Sequence, residues 1–532
     1  MTEQPAATMG THRVWRPTLF CGIIVVGALL RLIALGKVPG GLNSDEASSG
    51  VEALSILRTG MDLWGNHFPV WFPAWGSGMN ALYTYIAVPV VWAFGLDSVT
   101  LRAVGAVLGV LTLPVAYYAT RLYFGRPAAL IVMGLLAVLP WHVMSSRWAL
   151  DSNLAPLFFT LGLYTIGKAL ESGGRWPLLA WAPWAISIYA YPVMLYPIIP
   201  SSLAVVIFFR SPILAAAGIW AAGIALALLI DLPFILFLLK NYALHIEHLP
   251  GESALPFSVP ALAATRLSQI HQPLTVTIFN NLTFLVGGYR DEAVWHQSRY
   301  FLPLTGAAPY LTAAGAVALA WRCVKARQPR VILANVILIV AAAIVVPIVA
   351  IPLQVTRLNW FYIPSLMLAA QFLTGLPGEY RRQLLVASGI YLMLFLAPFY
   401  AYYATSYNQE ATALDRNLGN GFRLGLEGTL RGEAALARPD EPIFIDAGQP
   451  QPYLYPLFYG LASVEDFQAT RQMQTIDGVY VVSRFGRFYF EKDALPAGQS
   501  YVFASRADDM PCANPEALKT GPLWATGRCP AG

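Results

Sequence analysis

Long apolar runs separated by short polar connections dominate the chain up to about residue 402. A helix needs about 20 mostly apolar residues to cross a hydrocarbon core of ~30 Å. Runs of that kind lie near 17–35, 100–120, 127–144, 153–170, 176–190, 193–209, 213–230, 301–321, 331–350, 359–376 and 383–401. They predict an all-α polytopic membrane region of about eleven transmembrane helices over 1–402. The first run follows Arg13 and Arg16 and resembles a signal peptide, but it exceeds the usual apolar core of about 7–15 residues and is read as an uncleaved anchor. The run 81–94 is placed as an interfacial or re-entrant helix, because a crossing there would invert every later loop.

After residue 402 the pattern changes. Residues 421–436 have helical character, and 442–446, 478–483 and 499–505 read as short strands, so 403–532 is expected to be a small α/β domain. Its aromatic segment 453–459 either covers the membrane-facing side or belongs to an ordinary packed core.

Composition sharpens this division. The 532 residues are 57% hydrophobic and 12% charged, against about 25% charged in soluble chains. Of the 63 charged residues, 26 fall in 403–532. Collagen-like, disordered and disulfide-scaffold classes are excluded. The net charge of +5 reflects retention of Lys and Arg in cytoplasmic loops. No basic run with interleaved aromatics occurs, so the bilayer is a partner and nucleic acid is not.

Thirteen Lys and Arg residues, from Arg13 to Arg382, occupy alternating short loops, which puts the N-terminus in the cytoplasm. The segments 36–99, 145–152, 231–300 and 351–358 and the tail then lie outside a multi-pass cytoplasmic membrane. Cys512 and Cys529, 17 residues apart in the tail, become candidates for a disulfide, whereas Cys21 and Cys323 sit in or beside apolar segments.

Polar chemistry collects in those outer segments. Asp45 and Glu46 follow the first run, with Ser44 or Asp45 available to cap the next helix. Arg147 and Asp151 share one short loop, where a mutual surface ion pair is the plain alternative to a site. Arg357 is an isolated external cation suited to a lipid phosphate. The loop 231–300 carries His245, Glu247, His248, Arg290, Asp291, Glu292, His296 and Arg299, and reads as a lid or acceptor platform. His245, Glu247 and His248 are metal-ligand types without the HExxH spacing. Trp64, Trp71, Trp75 and Trp295 are of the kind that stack on sugar rings or anchor at an interface.

The segments PGGLNSDEASSGVEALSILRTGMDLWGNHFPVWF, FGLDSVTLRAVGAVLGVLTLPVAYYATRLYFG, LAVLPWHVMSSRWALDSN and LQVTRLNWFYIP give the first 400 residues a resemblance to a family of membrane glycosyltransferases. The family holds the bacterial relatives of the protein O-mannosyltransferases and the aminoarabinose lipid A transferases. The resemblance implies the C-type membrane glycosyltransferase fold and transfer, outside the membrane, of a sugar carried on a polyprenyl phosphate. By position, Asp45 matches the family's catalytic base, Asp151 approximately matches the acid of the second external loop, and Arg357 matches a residue close to the carrier phosphate. Aminoarabinose transferases carry a Glu-Lys-Pro run before the interfacial helix; here the stretch reads WGSGMNALYTY, which shifts the phosphate role to arginines.

The expected reaction is an inverting transfer. Asp45 takes the acceptor proton, Glu46 and Asp151 orient acceptor or sugar, and Arg357, with Arg147 or Arg290, holds the departing phosphate. It requires no cofactor and is compatible with a divalent metal. The acceptor is a protein, lipid or glycan. The alternatives are a lipid-linked sugar flippase or transporter, which predicts ionisable groups deep in the spans, and a structural partner in an envelope complex.

Overall fold

The structure is a computed structural model that describes residues 11–74, 78–262, 273–290, 298, 300–326, 332–337, 340, 352–410, 421–446, 451–476 and 479–531. Helix α1 (Thr11–Leu32) packs on α4 (Ser98–Val138), whose other sides receive α6 (Ala155–Ser172) and the helix Asn359–Gly375. Helix α4 is broken at Gly125, which has φ 80° and ψ 177°, so two helices meet there. The break falls in the predicted polar turn between Arg121 and Arg126, and a positive φ suits glycine.

Among the described residues, three helical stretches are long and apolar enough to cross a membrane: Ser98–Val138, counted across its break at Gly125, Ala217–Ala243 and Gly378–Thr405. Shorter apolar helices cover 17–32, 192–208 and 274–286. The predicted run 331–350 lies largely outside the described residues. The run 213–230 needs a correction, because its helix continues through Asp231 to Leu238 and into a π turn ending at Ala243. The apolar sequence LPFILFLL continues past the acid, and Pro233 is accommodated inside the helix, so the helical segment ends at residue 243 rather than at 230.

Two helices lie between α1 and α4 in the chain. Helix α2 (Ser44–Thr59) has 11 of its 16 residues buried although its sequence is mostly polar or small. Helix α3 (Leu82–Phe94) packs on α2 and α4. Its 13 residues rise roughly 20 Å, short of a full crossing.

The tail is a seven-stranded mixed sheet in the order β2-β3-β4-β1-β5-β7-β6. Strands β1 (Ile443–Ile445), β3 (Val479–Phe485) and β5 (Tyr501–Arg506) lie where the alternation predicts strands. β2 (Gln472–Ile476), β4 (Phe488–Tyr489), β6 (Glu516–Thr520) and β7 (Trp524–Cys529) are additions, and β2 and β6 are fully exposed edges without an apolar face. The aromatic segment forms the helix Leu454–Phe458, every residue of which is buried. It packs against α2 and shares one apolar cluster with Val51, Tyr83 and Val91, so it is the joint between tail and membrane region.

Cys512 and Cys529 are bonded. For a closed loop of this size the crosslink contributes about 3 kcal/mol. Replacing both cysteines by serine is expected to accelerate amide exchange in β5 and β7 while leaving α1 and α4 unchanged, as read by hydrogen–deuterium exchange.

Candidate active site

The C-terminal end of α1 and the N-terminal ends of α2 and α4 converge on a hydrogen-bonded knot. Asn43 is the N-cap of α2: its side chain accepts from the Asp45 N–H, while the Glu46 carboxylate accepts from the Asn43 N–H at 3.1 Å. The cap therefore comes from Asn43 and Glu46 rather than from Ser44 or Asp45. Glu46 is fully buried and also accepts from Arg102 Nε (2.8 Å), Arg102 Nη2 (2.7 Å) and the Ala149 N–H (3.0 Å). Arg102 in turn donates to the carbonyls of Pro39 (2.7 Å) and Gly41 (2.9 Å). One carboxylate and one guanidinium thus fix the loop before Asp45 to α4 and to the loop before Asp151.

The belt continues through two asparagines. Asp151 is buried, with Oδ2 accepting from the Asn80 backbone and side chain, and Oδ1 from the Ser152 N–H (2.7 Å). Asn359, two residues beyond Arg357, donates to Asn153 Oδ1 (3.1 Å) and Ser152 O (3.4 Å), and accepts from Trp141 Nε1 (2.7 Å). The segments bearing Asp45, Asp151 and Arg357 are therefore connected by direct bonds. Asn80 Oδ1 and Ser152 Oγ, beside Asp151, are buried and have no hydrogen-bond partner among the described residues. Buried polar atoms are nearly always paired, so these two are suited to ligand hydroxyls.

The predicted residues separate by what occupies them. Asp45 lies in the first turn of α2 and is half-buried, where the helix dipole favours a carboxylate. Arg147 donates to the carbonyls of Leu30, Arg31, Ile33, Ala34 and Val38, at 2.8–3.1 Å, and so closes the C-terminal end of α1. Arg357 is half-buried, and the single hydrogen bond of its guanidinium among the described residues goes to the Pro352 carbonyl. Arg290 is exposed, directly after Tyr289, whose ring lies 5.1 Å from that of Tyr362.

Other candidates are placed elsewhere. His245, Glu247 and His248 are exposed, and no metal-holding group of three or more such residues occurs among the described residues. Trp64 is packed into the tail against Tyr453, Phe467 and Tyr480, with ring centroids 4.6–6.0 Å apart, and Trp71 stacks on Phe237 at 5.0 Å. Both therefore serve packing. Trp75, Trp295, Asp291, Glu292, His296 and Arg299 lie outside the described residues. The later outer segment does cross to the first one, where Ser258 exchanges backbone bonds with His67 (2.8 Å) and Val70 (3.1 Å).

Sequence reasoning missed a second acidic pair. Glu52 and Asp62 are buried, and neither forms an ion pair among the described residues. Burial, then the charge of Asp62, pushes Glu52 well above the usual carboxylate range, and burial pushes Asp62 up to about 6. Gln468 of the tail donates to the Asp62 carbonyl at 2.8 Å, so the pair lies at the domain joint.

The fold is shared with ArnT, an aminoarabinose transferase from Cupriavidus metallidurans, solved in the apo state and bound to undecaprenyl phosphate. The TM-score is 0.59 at 16% identity, over 97% of this chain and 98% of that one. It is also similar to the archaeal oligosaccharyltransferase AglB from Archaeoglobus fulgidus, solved with an inhibitory peptide and a dolichol-phosphate, with TM-score 0.51 and 14% identity. That match covers 85% of this chain, which spans 64% of the archaeal protein's length. No family model and no curated protein matches the chain. The chain therefore has the fold of the C-type membrane glycosyltransferases. Of these two relatives, ArnT is the one matched from end to end.

Two outcomes test the knot and the joint. Arg102→Ala leaves Glu46 buried and unpaired, with an expected loss of about 3–5 kcal/mol; the double change Glu46→Leu with Arg102→Met is expected to melt above that single variant. For Asp62 the folded protein holds a proton that the unfolded chain releases above its ordinary value of 3.8. Its contribution is thus present below that value and is lost as pH rises through about 6. Melting of the detergent-purified protein is expected to fall between pH 4 and 7, and Asp62→Asn is expected to flatten that slope.

Proposed function

We propose that the chain is an integral membrane glycosyltransferase that moves a sugar from a polyprenyl-phosphate carrier to an acceptor hydroxyl on the outer face of the cytoplasmic membrane. The observation that carries this reading is the division of labour at the belt. Glu46 and Arg147 are consumed by static protein partners, whereas Arg357 keeps guanidinium N–H groups with no partner among the described residues, on a loop joined to that of Asp151. End-to-end likeness to a protein solved with undecaprenyl phosphate supports the choice of carrier.

In the proposed reaction the acceptor oxygen attacks the anomeric carbon while the bond to the carrier phosphate breaks on the opposite face, with inversion. Asp45 removes the acceptor proton as general base. Arg357 pairs the charge that develops on the leaving phosphate, with Arg290 assisting from the neighbouring segment. Asn80 and Ser152 offer their unpartnered oxygens to sugar hydroxyls. Glu46, Asp151 and Arg147 act as positioning residues through the bonds they make. No step requires a metal, nucleotide or flavin. The N-terminus is cytoplasmic and the tail domain external in this orientation, and the acceptor is a protein, lipid or glycan.

One observation favours a lipid-linked sugar transporter. Asp231 lies within an apolar helix, with Oδ1 buried and unpartnered among the described residues. Arg31, also within an apolar helix, instead donates to the Gly27, Leu136 and Ala137 carbonyls and so is held by static bonds.

Turnover by purified protein with a panel of polyprenyl-phosphate sugars separates these readings. Transfer is expected with at least one donor, with Asp45→Asn lowering kcat by about 10²–10⁴ and Arg357→Ala by about 10²–10³. Normal transfer by Asp45→Asn removes it as base. Asp45-independent movement of donor across vesicles, without transfer, supports the transporter.

A further inference from the structure

A polar and apolar concavity lies toward the end of α2 that is remote from Asp45. It has a volume of about 620 Å³ and opens between the end of α2, the α3–α4 turn and the tail helices Leu426–Leu436 and Leu454–Phe458. Leu54, Leu57, Val91 and Phe458 supply an apolar lining. Arg58, Asp97, Glu427 and Arg431 supply the charge. Arg58 lies at the opposite end of α2 from Asp45, roughly 20 Å along the axis at 1.5 Å per residue.

The two acids are already engaged. Asp97 caps α4, accepting from the N–H groups of Val99 (2.7 Å) and Thr100 (2.8 Å) and from the Thr100 hydroxyl (3.2 Å). Glu427 pairs with Arg431 Nε at 2.9 Å across an exposed helix face. The Arg431 terminal nitrogens and the whole Arg58 guanidinium have no hydrogen bond or ion pair among the described residues. Two guanidiniums with available donors therefore border one apolar hollow. Beside it, α3 exposes Trp92 (74%) and Phe94 (77%), large aromatics that are stable at a bilayer interface and costly in water.

We propose that this cleft is a phospholipid site, in which Arg58 and Arg431 hold the headgroup phosphate of an anionic lipid and Trp92 and Phe94 meet its acyl chains. An arginine offers parallel donors to phosphate oxygens, and the volume falls in the range of small-ligand pockets, about 300–1,000 Å³. The bound lipid bridges α2 and the tail at their joint. The proposal rests on the membrane placement of α3 and does not depend on the transferase reading.

Native mass spectrometry of the full-length protein in detergent, titrated with phosphatidylglycerol, tests it. Retained lipid adducts are expected in the wild type, with at least a ~10-fold loss of affinity in Arg58→Gln with Arg431→Gln, equivalent to the ~1.4 kcal/mol that each tenfold represents. A melting temperature of the double variant within a few degrees of the wild type is also expected, and shows that it has folded. In vesicles, brominated phosphatidylglycerol is expected to quench tryptophan emission less in Trp92→Phe than in the wild type. Equal adducts in wild type and double variant overturn the proposal. So does competition by millimolar inorganic phosphate, which marks a free-phosphate site, or by undecaprenyl phosphate, which assigns the cleft to the carrier.

Discussion

The bonding of Glu46 to Arg102 is the constraint on which the arrangement around Asp45 and Asp151 depends. A fully buried carboxylate is costly unless its oxygens are paired and hydrogen-bonded. Here one guanidinium and two backbone N–H groups meet that demand. The partners come from three parts of the chain: the loop before α2, the body of α4 and the loop after α5 (Pro140–Ser146). Satisfying a single charge thus sets where Asp45 and Asp151 stand relative to one another. Asn359 extends the same arrangement to the segment of Arg357.

This division explains why a chain so poor in charge retains these particular residues. Adjacent acids at the start of α2 have opposite environments, since Glu46 is sealed by Arg102 and Asp45 remains half-buried at a helix N-terminus. The arginines divide in the same way. Arg147 neutralises the carbonyl end of α1 and the loop beyond it, while Arg357 keeps donors beside a short loop. Residues held by protein partners therefore alternate along the belt with the residues to which the proposed reaction assigns chemistry.

Much of the architecture was legible in the sequence because apolar run length is a direct measure of what lipid permits. The break in α4 was visible as two arginines around a glycine. Failures occurred where one residue type serves two environments. Arg147 and Arg357 look alike in a sequence, and the difference is whether backbone carbonyls happen to surround the guanidinium. Glu46 and Arg102 are partners 56 residues apart, which no local pattern reveals. Asp231 ended an apolar run too early because a single acid outweighed the apolar residues after it. Edge strands β2 and β6 were missed because they bury nothing, so their sequences carry no alternation. Trp64 and Trp71 carry rings suited to sugar stacking or interfacial anchoring, and packing inside the protein uses the same rings.

In the proposed reaction Asp45 and Arg357 act on opposite sides of one scissile bond. A structure of the protein bound to a non-cleavable polyprenyl-phosphonate sugar tests it most directly. The phosphonate is expected on the Arg357 guanidinium, the anomeric carbon between it and Asp45, and sugar hydroxyls within reach of Asn80 and Ser152. A phosphonate seated away from Arg357, or a sugar whose open face points away from Asp45, contradicts it.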